Sequence, residues 1–396
     1  MFRAAGVLWV ASLAACVTVR APSRTAVPKC PEPGALAATR AAASEEAEEE
    51  DGDEIHDEVT DDGASGELPP PAPPRPHPLA GLSDAELDRR VAEDLASLGP
   101  ISVGRPNAGA LVNGVQMPPS PEWEIVNPRE TWGTPETIDA LARAIRAVHA
   151  RFPNTRPLPI GDISDRDGGP LAPHISHQSG RDVDVGYYYT TDDKWYTTAN
   201  GDNLDLPRTW AFVRALVTET DVEVIFIDRR IQKLLRAYAE SIGEDTGWLD
   251  QLFGGPTSRM RPLIRHEKGH RTHIHVRFYN PIAQESGRRL YRSLLAHKVI
   301  KPPTYYVKYK ARRGDTLLRI ARKFHTSVKA IKRANRLRSN RIFATRVYRI
   351  PRRGGVAPPA KPLAIPARRL PPPRGTAAVA TARPAQPLQA EPAPAG

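Results

Sequence analysis

The alternation of apolar and polar positions predicts a series of helices and strands in the middle of the chain. Apolar residues recur at helical spacing in four stretches, which begin at Ser83, at Thr134, near position 208 and at Arg229. Ser83 and Thr134 are suited to cap free backbone amides, and Pro135 suits a first helical position. A short apolar run over 222–227 predicts a buried strand. Helices mixed with short strands predict an α+β domain over 81–300.

Two further stretches alternate with the period of a strand. In "RDVDVGYY" Asp182 and Asp184 alternate with valines, and in "THIHVRF" His273 and His275 alternate with aliphatic residues. Successive side chains of a strand point to opposite faces. We therefore expect the apolar faces to be buried and Asp184, His273 and His275 to project from the other side of a small sheet.

A second, smaller domain is predicted over 304–352. Its pattern indicates a strand, two helices and a closing strand, with Leu317, Ile320 and Phe324 along one face of the first helix. Basic residues occupy the remaining positions. This βααβ pattern predicts a compact domain with a small core.

The two flanking tracts lack such patterns. Residues 16–80 contain an acidic run and "PPPAPPRPHP", while residues 353–396 are rich in proline and alanine. The chain as a whole holds 41 prolines and 28 glycines. Segments of this composition cannot bury enough apolar surface to fold, so we expect a disordered tether before the first domain and a disordered tail after the second.

Charge alone would favour nucleic acid as a partner, because the formal net charge is +11. The first residues argue against that partner. "MFRAAGVLWVASLAAC" contains Arg3, a short apolar stretch and then small residues, which is the plan of a secretory signal. Cys16 and Cys30 are the only cysteines, so no disulfide is expected in the two domains.

The end of this leader, Leu13-Ala14-Ala15-Cys16, resembles the bacterial lipobox. The resemblance implies that residues 1–15 are a lipoprotein signal peptide and that Cys16 becomes lipidated. With Val17 rather than aspartate after it, the mature protein is expected in the periplasm, anchored to the outer membrane. The alternative is an ordinary signal peptide followed by a coincidental cysteine.

The histidines indicate chemistry, because six of the 11 lie in two short windows, 174–177 and 266–275. Imidazole nitrogens and a carboxylate oxygen are the ligands that zinc takes in catalytic sites, which keep three protein ligands and one open position. Iron also binds two histidines and one carboxylate, so ligand types alone leave the metal open. Core histidines are the alternative interpretation.

Several separated motifs resemble a known family. "GRPNAGALVNGVQMP", "NPRETWGTPE", "GDISDRDGGPLAPHISHQSGRDVDVGYY" and "GHRTHIHVRF" are similar to the penicillin-insensitive murein endopeptidases, a branch of the LAS metallopeptidases, over roughly residues 100–282. The resemblance implies an LAS-type fold with a small central antiparallel sheet flanked by helices. It also implies a zinc peptidase that hydrolyses D-alanyl to meso-diaminopimelyl cross-links of peptidoglycan.

The resemblance also implies residue roles. His177, Asp184 and His275 would hold Zn²⁺, and His273 would act as general base or transition-state stabiliser. His270 matches a further active-site histidine, and His174 matches one beside the metal, an accessory position. No histidine follows the first strand to complete a second site, so one metal is expected. Three polar residues are suited to orient ligands or to serve a structural role: Asp162, Ser176 and Asp182.

Residues 309–351 resemble one LysM module, through Gly314-Asp315-Thr316-Leu317, Asn335 and Ile350-Pro351. Thr345 stands near a position where the family usually has glycine. LysM modules bind the N-acetylglucosamine-containing glycan of peptidoglycan, so this module would target the enzyme to the wall. Two alternatives stay open: a D,D- or L,D-carboxypeptidase on the same fold, and a non-catalytic zinc-containing lipoprotein that binds peptidoglycan.

Overall fold

The computed structural model describes residues 77–354 and 361–373. Cys16, the leader and the acidic run lie outside the described residues. The helices are α1 Asp84–Glu93, α2 Pro135–Arg151, α3 Leu206–Glu219, α4 Arg229–Ser241, α5 Thr246–Phe253, α6 Pro281–Ala296, α7 Leu317–Lys323 and α8 Val328–Ala334. Short 3₁₀ turns lie at Leu95–Leu98 and Pro128–Glu130. None of the helices in the described part is long and apolar enough to cross a membrane.

The strands belong to one larger sheet and three two-stranded pairs. The strands are β1 Ile101–Arg105, β2 Ala108–Val112, β3 Val115–Gln116, β4 Trp123–Ile125, β5 Trp132–Gly133, β6 Leu158–Ile160, β7 Asp182–Val185, β8 Val222–Phe226, β9 Ile264–Arg265, β10 Ile274–Phe278, β11 Thr304–Lys310 and β12 Val347–Arg353. The six-stranded sheet has the order β4-β6-β7-β10-β8-β9. The mixed α+β architecture confirms the predicted fold class.

The predicted helices form where the capping signals place them. Ser83 accepts a hydrogen bond from the amide of Glu86, and Thr134 accepts one from the amide of Thr137. The first helix is shorter than its pattern, since Asp94 leaves helical geometry with a φ of −148° and a 3₁₀ turn follows. The helices from 206 and 229 differ from the predicted bounds by about two residues.

The central strands β7 and β10 run antiparallel and lie side by side. Val183, Val185, Ile274 and Val276 are fully buried in the main hydrophobic core, which they share with α2 and α3. The period-two pattern therefore predicted the apolar face correctly. That face anchors the sheet, so the positions of the side chains on the opposite face are set by a rigid core.

The polar face of the sheet is buried as well, which the alternation did not predict. Asp184 is 2% exposed, His275 6% and His273 7%. His273 lies directly before β10, which begins at Ile274. The segment that leads into β7 covers this face, because His177 has no exposed surface and its ring lies 4.8 Å from the ring of His275.

The smaller domain has the predicted strand, helix, helix, strand order. β11 pairs with β12 from Thr304 opposite Arg353 to Lys310 opposite Val347. Its core contains Leu317, Ile320, Ala321, Ile331, Tyr348 and Ile350. Thr345 adopts a φ of 71°, a backbone region that favours glycine, and its amide donates to the carbonyl of Ala311 at 2.7 Å. The turn thus keeps its form without the usual glycine.

Part of the tract after 353 contacts the larger domain. Residues 361–373 form no helix or strand. The indole of Trp248 donates to the carbonyl of Arg369 at 2.7 Å, and Arg368 pairs with Asp221 at 2.8 Å. Composition predicted a tail without packed structure over 353–396, and these contacts correct that expectation for 361–373. A polar side chain can fix an irregular segment without any apolar periodicity.

Candidate metal centre

Asp184 and His275 meet because of strand register. They lie directly opposite each other on β7 and β10, so their side chains share one face of the sheet. The distance from His275 Nδ1 to Asp184 Oδ1 is 2.9 Å. The pairing of β7 with β10 thus makes neighbours of two positions that are 91 residues apart in the sequence.

His177 lies in the loop before β7, and hydrogen bonds hold its backbone in a left-handed conformation. Its φ is 64°, which is uncommon for a residue other than glycine and costs about 1–3 kcal/mol. The backbone amide donates to Asp182 Oδ2 at 3.1 Å, and Nδ1 lies 3.0 Å from the carbonyl of Ile163. A carbonyl only accepts, so Nδ1 carries a proton, and in the neutral ring the lone pair of Nε2 is directed towards Asp184 Oδ1.

The three predicted ligands converge on one point. His177 Nε2 lies 3.3 Å from Asp184 Oδ1 and 3.3 Å from His275 Nδ1. Zinc bonds of 2.0–2.1 Å in a tetrahedron separate ligand atoms by about 3.3 Å. The observed spacings, with the 2.9 Å between His275 and Asp184, match such edges. Asp184 Oδ1 is buried and has no hydrogen bond of acceptable geometry to any described residue. The donor set therefore fits a divalent cation.

The other carboxylate oxygen of Asp184 faces two different histidines. His174 Nδ1 lies 3.4 Å from Asp184 Oδ2, and His273 Nε2 lies 3.8 Å from the same atom. His174, His177 and Asp184 together form a group whose ligand atoms all lie within 4.8 Å of one another. Asp184 thus divides the cluster, with His177 and His275 on one oxygen and His174 and His273 on the other.

Two of the three predicted orienting residues contact the cluster. Asp162 Oδ2 lies 3.0 Å from His174 Nε2, which directs Nδ1 of that ring towards Asp184. Asp182 pairs with Arg277 at 2.7 Å, accepts the amide of His177 and lies 3.7 Å from His275 Nε2. Such contacts fix the ring orientation of metal-binding histidines. The Ser176 side chain makes no hydrogen bond with any described residue.

The buried charges shift the pKa values of the cluster in opposite directions. Burial alone would raise the pKa of Asp184, but the neighbouring imidazoles, above all His177, lower it well below its usual value. Burial alone would lower the pKa of His275, but Asp182 and Asp184 raise it to about 9. For Asp182 burial is outweighed by Arg277, which lowers the pKa. Two ionised, buried carboxylates thus attract positive charge to this point.

His273 differs from the predicted ligand histidines in its surroundings. Burial lowers its pKa to about 4 despite the nearby Asp184, so the ring is neutral at pH 7. Its Nδ1 lies 3.0 Å from the hydroxyl of Thr272. The ring of His270 lies 4.6 Å away, and burial lowers the pKa of His270 well below its usual value as well. The structure therefore brings His270 and His273 together beside the predicted ligands.

Two aromatic residues next to His273 were missed at the sequence level. The ring of Tyr196 stacks on His273 at 5.3 Å, and the ring of Trp195 lies 6.3 Å from it. A Cβ atom on Gly161 would lie 2.4 Å from Trp195, so glycine leaves the space that this indole occupies. Two adjacent aromatic residues in a polar loop were the only sequence feature that pointed to a contact of this kind. The contact with His273 was not predictable, because about 77 positions separate the pair from it in the sequence.

The families that this chain matches are consistent with the fold and with the histidine and aspartate cluster. A mixed α+β domain with a buried histidine and aspartate cluster is a fold and site suited to metal-assisted hydrolysis. Residues 102–289 match the penicillin-insensitive murein endopeptidase family, and residues 309–351 match the LysM domain. Both matches agree with the resemblances that the motifs of the two domains indicate. A search of curated proteins found no significant match.

The two domains together define the class of protein. The family of the larger domain implies a peptidase, and both domains indicate peptidoglycan as substrate or binding partner. The two matches therefore indicate an extracytoplasmic protein that acts at the cell wall. The candidate metal centre of the larger domain is consistent with a metallopeptidase.

Proposed function

We propose that the protein is a zinc-dependent murein endopeptidase that hydrolyses D-alanyl to meso-diaminopimelyl cross-links. The observation that carries this proposal is the convergence of His177 Nε2, Asp184 Oδ1 and His275 Nδ1 within 2.9–3.3 Å of one another. A zinc ion held by these atoms would lower the pKa of water towards about 7 and polarise the scissile carbonyl.

Residues beside the proposed ligands would move protons during the reaction. His273 is neutral near pH 7 and faces Oδ2 of Asp184, the oxygen outside the proposed ligand set, so its ring is able to accept a proton from water and return it to the leaving amine. Thr272 holds the far nitrogen of that ring, and Tyr196 stacks against its face. His270 lies behind His273 and contributes a second neutral imidazole.

The decisive experiment uses purified protein with cross-linked muropeptide dimers and uncross-linked monomers, with and without a chelator. We expect conversion of dimers to monomers, loss of activity with chelator and recovery with zinc. His273→Ala should keep its zinc and its fold while turnover falls about 10²–10⁴-fold. Exclusive removal of terminal D-alanine from monomers would show a carboxypeptidase instead. Zinc binding without any cleavage would support a wall-binding protein.

We also propose that LysM binding to glycan and a lipid on Cys16 hold the enzyme near its substrate, on the periplasmic side of the outer membrane. The lipobox-like Leu13-Ala14-Ala15-Cys16 supports this proposal. Cys16→Ser should move the protein from the membrane fraction to the soluble periplasmic fraction without changing activity on soluble dimers. A variant that stays in the membrane fraction would contradict lipid anchoring.

A further inference from the structure

A cleft of about 430 Å³ lies between the loop that carries His174 and the LysM domain. One wall is formed by residues 170–175 except Leu171, including His174 itself. The other wall comes from the turn between α7 and α8, from α8 and from β11 and β12. Because His174 Nδ1 lies 3.4 Å from Asp184 Oδ2, the cleft adjoins the metal cluster.

The LysM wall of this cleft is strongly basic. Arg333, Arg349, Arg352 and Arg353 line it, and its lining contains no aspartate or glutamate. Asp315 is the single acidic residue in the sequence from 304 to 353, a segment that holds 17 lysines and arginines. The carboxylate of Asp315 already accepts hydrogen bonds from the hydroxyl of Tyr309 and the amide of Arg312. The domain therefore has little negative charge of its own to neutralise the cleft.

The guanidinium groups are available to a ligand. Arg333, Arg349 and Arg353 form no ion pair with any residue in 77–354 or 361–373, and Arg352 lies over the ring of Tyr305 at 5.9 Å. Partial enclosure and the charge of Arg336 lower the pKa of Arg349, and the carboxylate of Glu267 in the larger domain opposes this shift. Guanidinium groups bind carboxylates through paired, charge-assisted hydrogen bonds. The excess of positive charge in the lining favours an anionic, carboxylate-bearing ligand.

We propose that this cleft is a binding subsite for free carboxylates of the substrate's peptide stem, with Arg333 and Arg349 as principal contacts. The inference rests on the proposed function and adds a role for the LysM domain in recognising the peptide, beside its role in binding glycan. Stem peptides of peptidoglycan carry several free carboxylates and little positive charge. A stem held in the cleft would extend past His174 towards the metal cluster, so the subsite would select substrate next to the reacting bond.

The test compares two full-length variants with matched charge. Arg333→Gln with Arg349→Gln removes the two cleft guanidiniums, and Arg322→Gln with Arg346→Gln removes two exposed guanidiniums that do not line the cleft. Steady-state kinetics would use a soluble cross-linked dimer and the same dimer with its free carboxylates amidated. Thermal unfolding and zinc content of all proteins would establish that fold and metal are retained.

We expect the cleft variant to lose roughly 10-fold or more in kcat/KM on the unmodified dimer, mainly through KM, because the arginines contribute to binding rather than to the chemical step. The control variant should resemble the wild type. Amidation should reduce kcat/KM of the wild type by a similar factor and have little further effect on the cleft variant.

Three results would overturn the inference. Equal kinetics of the cleft and control variants would show that the arginines do not contact substrate. Unchanged cleavage of the amidated dimer by wild type would exclude carboxylate recognition. Faster cleavage by the cleft variant would mean that Arg333 and Arg349 of the wild type bind an inhibitory anion, such as the acidic run of this chain. If the wild type cleaved neither dimer, the proposed function itself would fail.

Discussion

Asp184 links the two halves of the site, because each of its carboxylate oxygens faces a different pair of histidines. His177 and His275 lie at 3.3 and 2.9 Å from Oδ1, whereas His174 and His273 lie at 3.4 and 3.8 Å from Oδ2. A cation on the Oδ1 side would leave His174 outside the ligand set. This division separates the proposed ligands from the residues beside them and makes each role testable.

At the residue scale we predict that metal content distinguishes these histidines. The wild type should hold close to one zinc per chain, and Asp184→Ala and His275→Ala should lose most of it. His174→Ala should retain zinc, because this ring faces the other carboxylate oxygen. Elemental analysis after dialysis measures the outcome. Equal zinc loss in His174→Ala and His275→Ala would place His174 among the ligands.

At the scale of the elements, strands β7 and β10 carry both the core and the site. Their aliphatic side chains pack on one face, and the other face holds a row of buried charges in which Asp182 lies opposite Arg277 and Asp184 opposite His275. The Asp182 to Arg277 ion pair is 9% exposed or less on both side chains. Removal of one partner from such a buried pair leaves an uncompensated charge, which costs several kcal/mol.

We therefore predict that Asp182→Ala lowers the free energy of unfolding by about 3–5 kcal/mol, measured by urea titration in the presence of chelator. Asp182→Ala combined with Arg277→Met should recover part of this loss. The pKa of Asp182 is lowered in the folded protein, so its contribution is present above the unfolded pKa of about 3.9 and is lost as pH falls below that value. A constant difference between wild type and variant down to pH 2 would contradict the assignment.

At the scale of the whole molecule, segments far apart in the chain complete the larger domain. The carbonyl of Arg369 accepts from the indole of Trp248, which is 1% exposed, and the Arg369 guanidinium donates to the carbonyl of Arg261 at 2.9 Å. Arg368 adds an ion pair with Asp221. The segment 361–373 thus functions as a strap over α5 rather than as a free tail.

We predict that truncation after residue 360 lowers the melting temperature by a few degrees relative to truncation after residue 373. The loss of these hydrogen bonds costs on the order of 1 kcal/mol, which corresponds to about 2–4 °C for a domain of this size. Calorimetry of both truncated proteins provides the comparison, and the longer one is the matched control. Identical melting temperatures would show that the strap adds no stability.

Local pattern determined much of this protein. The capping residues Ser83 and Thr134 and the alternation in β7 and β10 are short-range features, and each predicted its element. The residue types of His177, Asp184 and His275 are equally local, and they are the basis of the proposed metal site. Such features are readable from sequence because helix and strand periods repeat within a few residues.

Only the tertiary structure decided which other residues these side chains contact. Strand register placed Asp184 opposite His275, and packing of the preceding loop buried the polar face and aimed His177 and His174 at the two oxygens of Asp184. The contacts of Tyr196 with His273, of the LysM arginines with the cleft and of Arg369 with Trp248 join positions tens of residues apart. No local period encodes such contacts, because they depend on how the whole chain closes its loops around a shared core.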